Sequence, residues 1–155
     1  LVLEVGTGSG YVATSIADET GARVIGSDVN PIACRRAREH GVEAVRADLV
    51  APFQDGSFDV VLFNPPYLPE NELAKRDDWM EAALTGGESG RAVITPFVES
   101  VGRVLAPGGR VYLLVSSLAD IEAVEAQAAA VGFESRPVVS ESFPFETLEV
   151  LELTR

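Results

Sequence analysis

The chain opens with an apolar run, Leu1 to Val5, that breaks at once into Gly6-Thr7-Gly8-Ser9-Gly10. Glycines at alternate positions let a backbone turn tightly and approach a ligand closely. A helical pattern follows over 11–19 and stops near Gly21. The short strand Arg23-Val24-Ile25-Gly26-Ser27 then delivers Asp28, which stands 22 residues after Gly6. Strand, glycines, helix, strand and acid in this order specify a β-α-β unit. At the carboxyl end of its second strand an acid can bond two ribose hydroxyls.

The alternation continues along the chain. Pro31 opens a helix that runs to about His40 and is stopped by Gly41. Val42 to Ala47 reads as a weaker third strand and Phe58–Phe63 as a buried fourth. Residues 68–88 are polar, contain Gly86-Gly87 and have no clear periodicity. Helical spacing returns over 90–105. Pro107-Gly108-Gly109 reads as a turn before the apolar strand Arg110–Val115. An Ala-rich helix over 119–130 is followed by two strands, about 133–139 and 146–153, across Phe143-Pro144-Phe145. Such alternation implies a mostly parallel sheet with helices on both faces. The short last connection makes the final pair antiparallel. With 155 residues, 46% of them hydrophobic, the expectation is a single α/β domain over 1–155. Residue 1 is not Met and lies inside a strand pattern, so a native N-terminal segment is expected to be missing.

Charge and cysteine content narrow the function. The net charge is −12, from 24 acidic and 12 basic residues, and Lys75 is the one lysine. A field of this sign repels phosphate backbones, which makes nucleic acid an unlikely partner. An acidic, lysine-poor surface of this kind predicts adaptation to high salt, where self-repulsion is screened. No apolar run nears the ~20 residues that a membrane span needs. Cys34, the one cysteine, can form no internal disulfide, which fits a cytoplasmic location. Cys34 and His40 have no companions at metal-ligand spacing, so no metal site is expected.

The second chemical feature is Asn64-Pro65-Pro66-Tyr67, directly after the fourth strand. Two prolines have no N–H to give a sheet ladder, so the strand must stop there. The tetrad places a side-chain amide, rigid carbonyls and an aromatic ring together, a group suited to gripping a planar amide or amino group. The glycine spacing G-x-G-x-G departs from that of dehydrogenases. Glu4, just before the glycines, disfavours a pyrophosphate and suits a cationic ligand. S-adenosylmethionine has ribose hydroxyls, an ammonium and a sulfonium, and no phosphate. Asp48, after the third strand, is placed to accept a bond from an adenine amino group, with Leu49 against the ring. His40 reads as a surface group favoured by the helix dipole. Arg35, Arg36 and Arg38 read as a solvated helix face. Trp79 and Phe97 read as core or loop anchors.

On these residues the chain resembles the class I S-adenosylmethionine-dependent methyltransferases. Within them it is similar to the HemK-like protein N5-glutamine methyltransferases of the archaeal and eukaryotic branch. Glu4 to Gly10 and Asp28-Val29-Asn30-Pro31 match the cofactor motifs, Asn64 to Tyr67 the catalytic motif, and Met80 to Arg91 the loop after it. The resemblance implies a doubly wound, seven-stranded sheet of order 3-2-1-4-5-7-6. It implies that Glu4, Gly6 and Gly8 border the methionine part of S-adenosylmethionine, Asp28 the ribose and Asp48 the adenine, with Thr7, Gly10, Val29 and Leu49 also among the cofactor-binding residues. Asn64, also near the cofactor, acts with Pro65, Pro66 and Tyr67 on the acceptor. The implied acceptor is the glutamine of the Gly-Gly-Gln motif of a peptide chain release factor. The implied partner is a small zinc-binding activator subunit at the edge formed by the third strand. Two alternatives stand beside this: an adenine N6-methyltransferase of DNA or RNA, and a catalytically silent binding subunit of the same fold.

Overall fold

The computed structural model describes residues 1–66 and 89–155. Tyr67, Lys75, Trp79 and the segment from Met80 to Glu88 lie outside the described residues. Seven strands form one sheet in the order β3-β2-β1-β4-β5-β7-β6. This is the order and the α/β class that the resemblance implies. The chain divides into two compact units: Leu1–Phe63 with Ser100–Val111, and Asn64–Glu99 with Tyr112–Arg155.

In the first unit β1 (Val2–Val5), β2 (Val24–Asp28), β3 (Glu43–Arg46) and β4 (Phe58–Phe63) are joined by α1 (Tyr11–Thr20) and α2 (Pro31–Glu39). All pairings among these strands are parallel, and β1 and β4 end in register at Val5 and Phe63. Every residue of β1 is buried, as a strand covered on both faces requires. Its core joins Val2 and Val24 to Ala13 of α1 and to Cys34 and Ala37 of α2. The Asn30 side chain accepts from Ile32 N at 2.8 Å and Pro31 takes the first helical position, so α2 starts where the sequence places it.

Several boundaries differ from the sequence expectation. β3 is shorter, four residues from Glu43 to Arg46. The expected helix over 90–105 contains one regular stretch, α3 (Ile94–Val101), among the described residues. The expected Pro107-Gly108-Gly109 turn is part of β5, which runs from Leu105 to Ser116. Its cause is close packing within the first unit. A Cβ on Gly109 would lie 2.9 Å from the carbonyl oxygens of Ala106 and Phe58, so this glycine lets the strand press against β4.

The second unit contains the later part of β5, a 3-10 turn (Ser117–Ala119), α4 (Ile121–Ala130), β6 (Glu134–Ser142) and β7 (Thr147–Thr154). β6 and β7 are antiparallel, as expected, with a register shift between Pro137 and Val139. β6 ends the sheet, a position where a proline without an N–H is tolerated. Asp120 interrupts the expected helix over 119–130. It sits at φ 63° and its carboxylate accepts from Ala123 N at 3.1 Å, so the regular helix starts at Ile121. Phe97 is fully buried, as a core anchor. No helix among the described residues is long and apolar enough to cross a membrane.

Candidate active site

The glycine-rich loop is held from three directions, all within the first unit. Gly6, Gly8 and Gly10 all have positive φ, at 67°, 56° and 83°. A residue with a Cβ would cost about 1–2 kcal/mol at each, which explains the alternation of glycines. Thr7 N donates to Ser27 O at 2.9 Å and carries the β1–β2 pairing one residue further. The buried Thr7 side chain lies on Gly26, where a Cβ would fall 2.7–2.9 Å from three of its atoms. A larger residue at 26 would therefore displace Thr7.

Thr7 in turn fixes Glu4. The Thr7 hydroxyl donates to Glu4 Oε2 at 2.5 Å, and Ala13 N donates to the same oxygen at 3.2 Å. Burial pushes the Glu4 carboxyl above its ordinary pKa of 4.5, the two hydrogen bonds oppose that, and the charge of Asp28 adds to the rise. Oε1 takes neither bond, so it is the oxygen left for a cationic group.

Asp28 faces the other side of the loop. Its Oδ2 accepts from Gly8 N at 3.0 Å and its Oδ1 from Asn30 N at 2.9 Å. A carboxylate has about four lone-pair positions, so both oxygens retain capacity for hydroxyl donors. A Cβ on Gly8 would meet nothing within 4 Å, which leaves the loop open beside Asp28.

The third contact comes from α2. His40 Nδ1 lies 2.8 Å from Ser9 O, the geometry of an imidazole N–H donating to the loop carbonyl. His40 is exposed, as the sequence reading had it, and the bond to Ser9 O adds to that reading. Arg35 and Arg36 are exposed as expected, but Arg38 Nε donates to Ala44 O at 2.8 Å. Nothing in the local sequence marks these contacts. They arise because α2 and β3 fold back over the loop.

Beyond β3, Asp48 is exposed and Leu49 is half-buried at φ 48°. A non-glycine residue in that region costs of order 1–3 kcal/mol and occurs preferentially at ligand sites. Val29, after Asp28, is 53% exposed.

The residues that the sequence assigns to the acceptor begin the second unit. Asn64 follows β4 directly and is exposed, Pro65 is buried and Pro66 is half-buried. The buried proline anchors the turn and leaves the asparagine amide accessible. Among the described residues no group of three or more His, Cys, Asp or Glu side chains could hold a metal ion.

Comparison with known proteins identifies the family. The family described as "Methyltransferase domain" matches residues 2–86. A Methanocaldococcus jannaschii protein named as a protein N5-glutamine methyltransferase is 33% identical over 160 residues, covering 99% of this chain and 81% of that protein. The human methyltransferase HEMK2 is 32% identical over 168 residues, covering 100% of this chain and 78% of that one. Among solved structures, the Encephalitozoon (E. cuniculi) Mtq2–Trm112 complex, responsible for methylation of the translation termination factor eRF1, superposes with a TM-score of 0.81 at 30% identity. It covers 99% of this chain and 84% of the solved one.

Proposed function

Because this chain belongs to the methyltransferase-domain family and, within it, to the HemK-like protein N5-glutamine methyltransferases, we propose that it moves a methyl group from S-adenosylmethionine to the amide nitrogen of a glutamine in the Gly-Gly-Gln motif of a peptide chain release factor. The observation that carries this reading is the accessible Asn64 amide on a proline-anchored turn at the end of β4, which lies beside the glycine-loop strand β1 in the sheet.

The residues present fit the cofactor. Asp28 keeps lone pairs for two ribose hydroxyls, Glu4 Oε1 suits the ammonium, and Gly6, Thr7, Gly8 and Gly10 provide backbone that a ligand can approach. Asp48 suits the adenine amino group, with Leu49 and Val29 as apolar neighbours. When bound, the cofactor supplies an electrophilic methyl group on a sulfonium. The chain's own task is to hold the nucleophile. An amide nitrogen is poor because its lone pair is delocalised into the carbonyl. The Asn64 side-chain oxygen and the Pro65 carbonyl accept its two N–H bonds, which fixes the nitrogen and favours a pyramidal geometry. The family resemblance assigns Tyr67, which lies outside the described residues, to the amide plane. Reacting atoms held ~3 Å apart and in line gain much of the rate from positioning alone. The proton leaves after transfer, so no strong base is required.

The same reading extends to a small partner subunit on β3, by analogy with the Mtq2–Trm112 complex. β3 ends the sheet and Val45 at its centre is 41% exposed. Side chains guard this edge. Arg38 occupies Ala44 O, Arg23 pairs with Glu43 at 2.7 Å, and Arg46 Nε donates to Val29 O at 3.1 Å. An incoming strand has to share or displace Arg38. A zinc-binding activator remains the proposed partner.

One experiment tests both parts. Labelled S-adenosylmethionine is offered with release factor, DNA and RNA, using wild type and Val45→Asp, each with and without the co-expressed partner. The expected result is a methyl group that mass spectrometry places on glutamine, with Val45→Asp losing the partner. Label only in nucleic acid would overturn the substrate. A fully active solitary chain, indifferent to Val45→Asp, would overturn the partner.

A further inference from the structure

The β6–β7 connection carries two exposed aromatic side chains. Phe145 is 93% exposed and Phe143 is 45% exposed, on either side of Pro144. The tip is nevertheless fixed in place. Phe143 N donates to Glu146 O at 2.7 Å and closes the turn. The Ser116 hydroxyl donates to Glu146 Oε2 at 2.7 Å, and Thr147 N donates to Ser117 Oγ at 2.9 Å. These bonds fasten the tip to the carboxyl end of β5. β5 and β4 start side by side, since Phe58 N donates to Val104 O at 3.0 Å, so they run in the same sense. The ends of both strands, marked by Ser116 and by Asn64, therefore leave the sheet along one edge. The two phenylalanines stand at the edge that also carries the acceptor residue.

Their surroundings are acidic. Residues 140–149, the tip and the strand ends that it joins, contain Glu141, Glu146 and Glu149 and no Lys or Arg. Arg136, at the far end of β6, is engaged at 2.5 Å with the buried Glu152. Two rigidly presented aromatic side chains inside an acidic field match an apolar side chain with basic neighbours. A second copy of this chain is a poor occupant, because it carries the same −12 charge. Anionic lipid is disfavoured for the same reason. The small partner proposed above belongs to β3, at the opposite end of the sheet.

We propose that Phe143-Pro144-Phe145 is a docking point for the protein substrate, receiving an apolar side chain flanked by Lys or Arg outside the segment that enters the active site. This deepens the proposed function and rests on its protein substrate. It makes substrate choice depend on a contact that the target glutamine does not make. Both side chains are solvent-facing, so Phe143→Ser with Phe145→Ser leaves the core intact.

The test is steady-state kinetics on the intact release factor, using this double variant and, separately, Glu141→Lys with Glu149→Lys. Cofactor affinity and thermal melting are measured alongside. The expected result is a KM for release factor raised about tenfold by the aromatic pair, the scale of a lost apolar anchor. The charge pair should raise it less and flatten its salt dependence, with kcat and cofactor affinity within about twofold of wild type. Wild type that labels release factor, with KM unchanged in both variants, overturns the docking point alone. Wild type that labels nucleic acid and not release factor overturns the substrate reading and this proposal with it, and that outcome shows in the wild-type arm. A wild-type dimer that the aromatic substitutions dissociate without change in KM makes the tip a self-association surface and also overturns the proposal.

Discussion

The glycine loop and the acceptor turn solve opposite problems. In the loop the polar side chains that border it already have internal partners. Glu4 holds Thr7 and Ala13, Asp28 holds Gly8 and Asn30, and His40 holds Ser9. The acceptor turn is left open, with one buried proline below an exposed asparagine. The difference follows from what each must bind. A cofactor of constant shape rewards a preformed cradle, since ordering it on binding would cost affinity. A protein side chain must be admitted and released, and needs an accessible group on a firm base. Damage to the loop should therefore spread into stability, while damage at the turn should stay in the chemistry.

The largest expected effect separates the two regions by a pair of variants. On the proposed role of Asn64 as an acceptor for the reacting nitrogen, Asn64→Ala lowers kcat on the order of 10²–10³-fold, as losses of one such preorganised group do elsewhere. Cofactor affinity and melting temperature stay unchanged. Asp28→Ala does the reverse, weakening S-adenosylmethionine by about 1–3 kcal/mol through unpaired polar contacts while the turnover of the saturated enzyme changes little. Calorimetry and saturating-cofactor assays on both variants check this. If Asn64→Ala retains turnover, or Asp28→Ala retains affinity, the division of labour fails.

A stability measurement tests the claim that the cradle is preformed. Gly10→Ala meets two penalties. Its φ of 83° is left-handed, and the new Cβ lies 2.8 Å from Val42 Cγ2 and 3.2 Å from Ala37. Strain of roughly 1–2 kcal/mol adds to overpacking of roughly 1–3 kcal/mol. Gly21→Ala is the matched control, with φ 70° and nothing within 4 Å, so it carries the strain alone. Urea melts should show Gly10→Ala as the more damaging change. Equal losses would mean that the loop moves off α2 and β3 at little cost.

The contrast also explains what could be read in advance. Strand alternation, the glycine spacing, Asp28 and the break at Asn64 are local patterns, so the α/β class and the candidate residues were legible in the chain. Strand order was not a local pattern and came from the family resemblance. The His40–Ser9 and Arg38–Ala44 contacts were invisible because they join segments that only the α2–β3 fold-back brings together. The Pro107-Gly108-Gly109 stretch was misread because its local chemistry signals a turn, whereas Gly109 is needed for close packing against the start of β4. The same limit applies to Glu4. Its position suggested ligand contact, but the structure shows that one of its oxygens is already committed to the loop.

That commitment leads to the last and smallest effect, a pH dependence. Glu4 titrates in the unfolded chain near 4.5, and burial raises it in the folded protein. Between those two values the native state binds more protons than the unfolded state, so stability falls as pH rises through that window. Above the folded pKa the full penalty of a buried carboxylate is present, and below 4.5 it is absent. Glu4→Gln keeps an oxygen that can accept from Thr7 and Ala13 but has no proton to titrate. Urea midpoints of the cofactor-free protein, measured from pH 4 to pH 8, should show wild type losing stability relative to Glu4→Gln as pH rises through the window. The other carboxylates are common to both proteins and cancel in the difference. Parallel profiles would show that Glu4 ionises as it does in water, and the loop would then lack the desolvated carboxyl that distinguishes it from the open turn at Asn64.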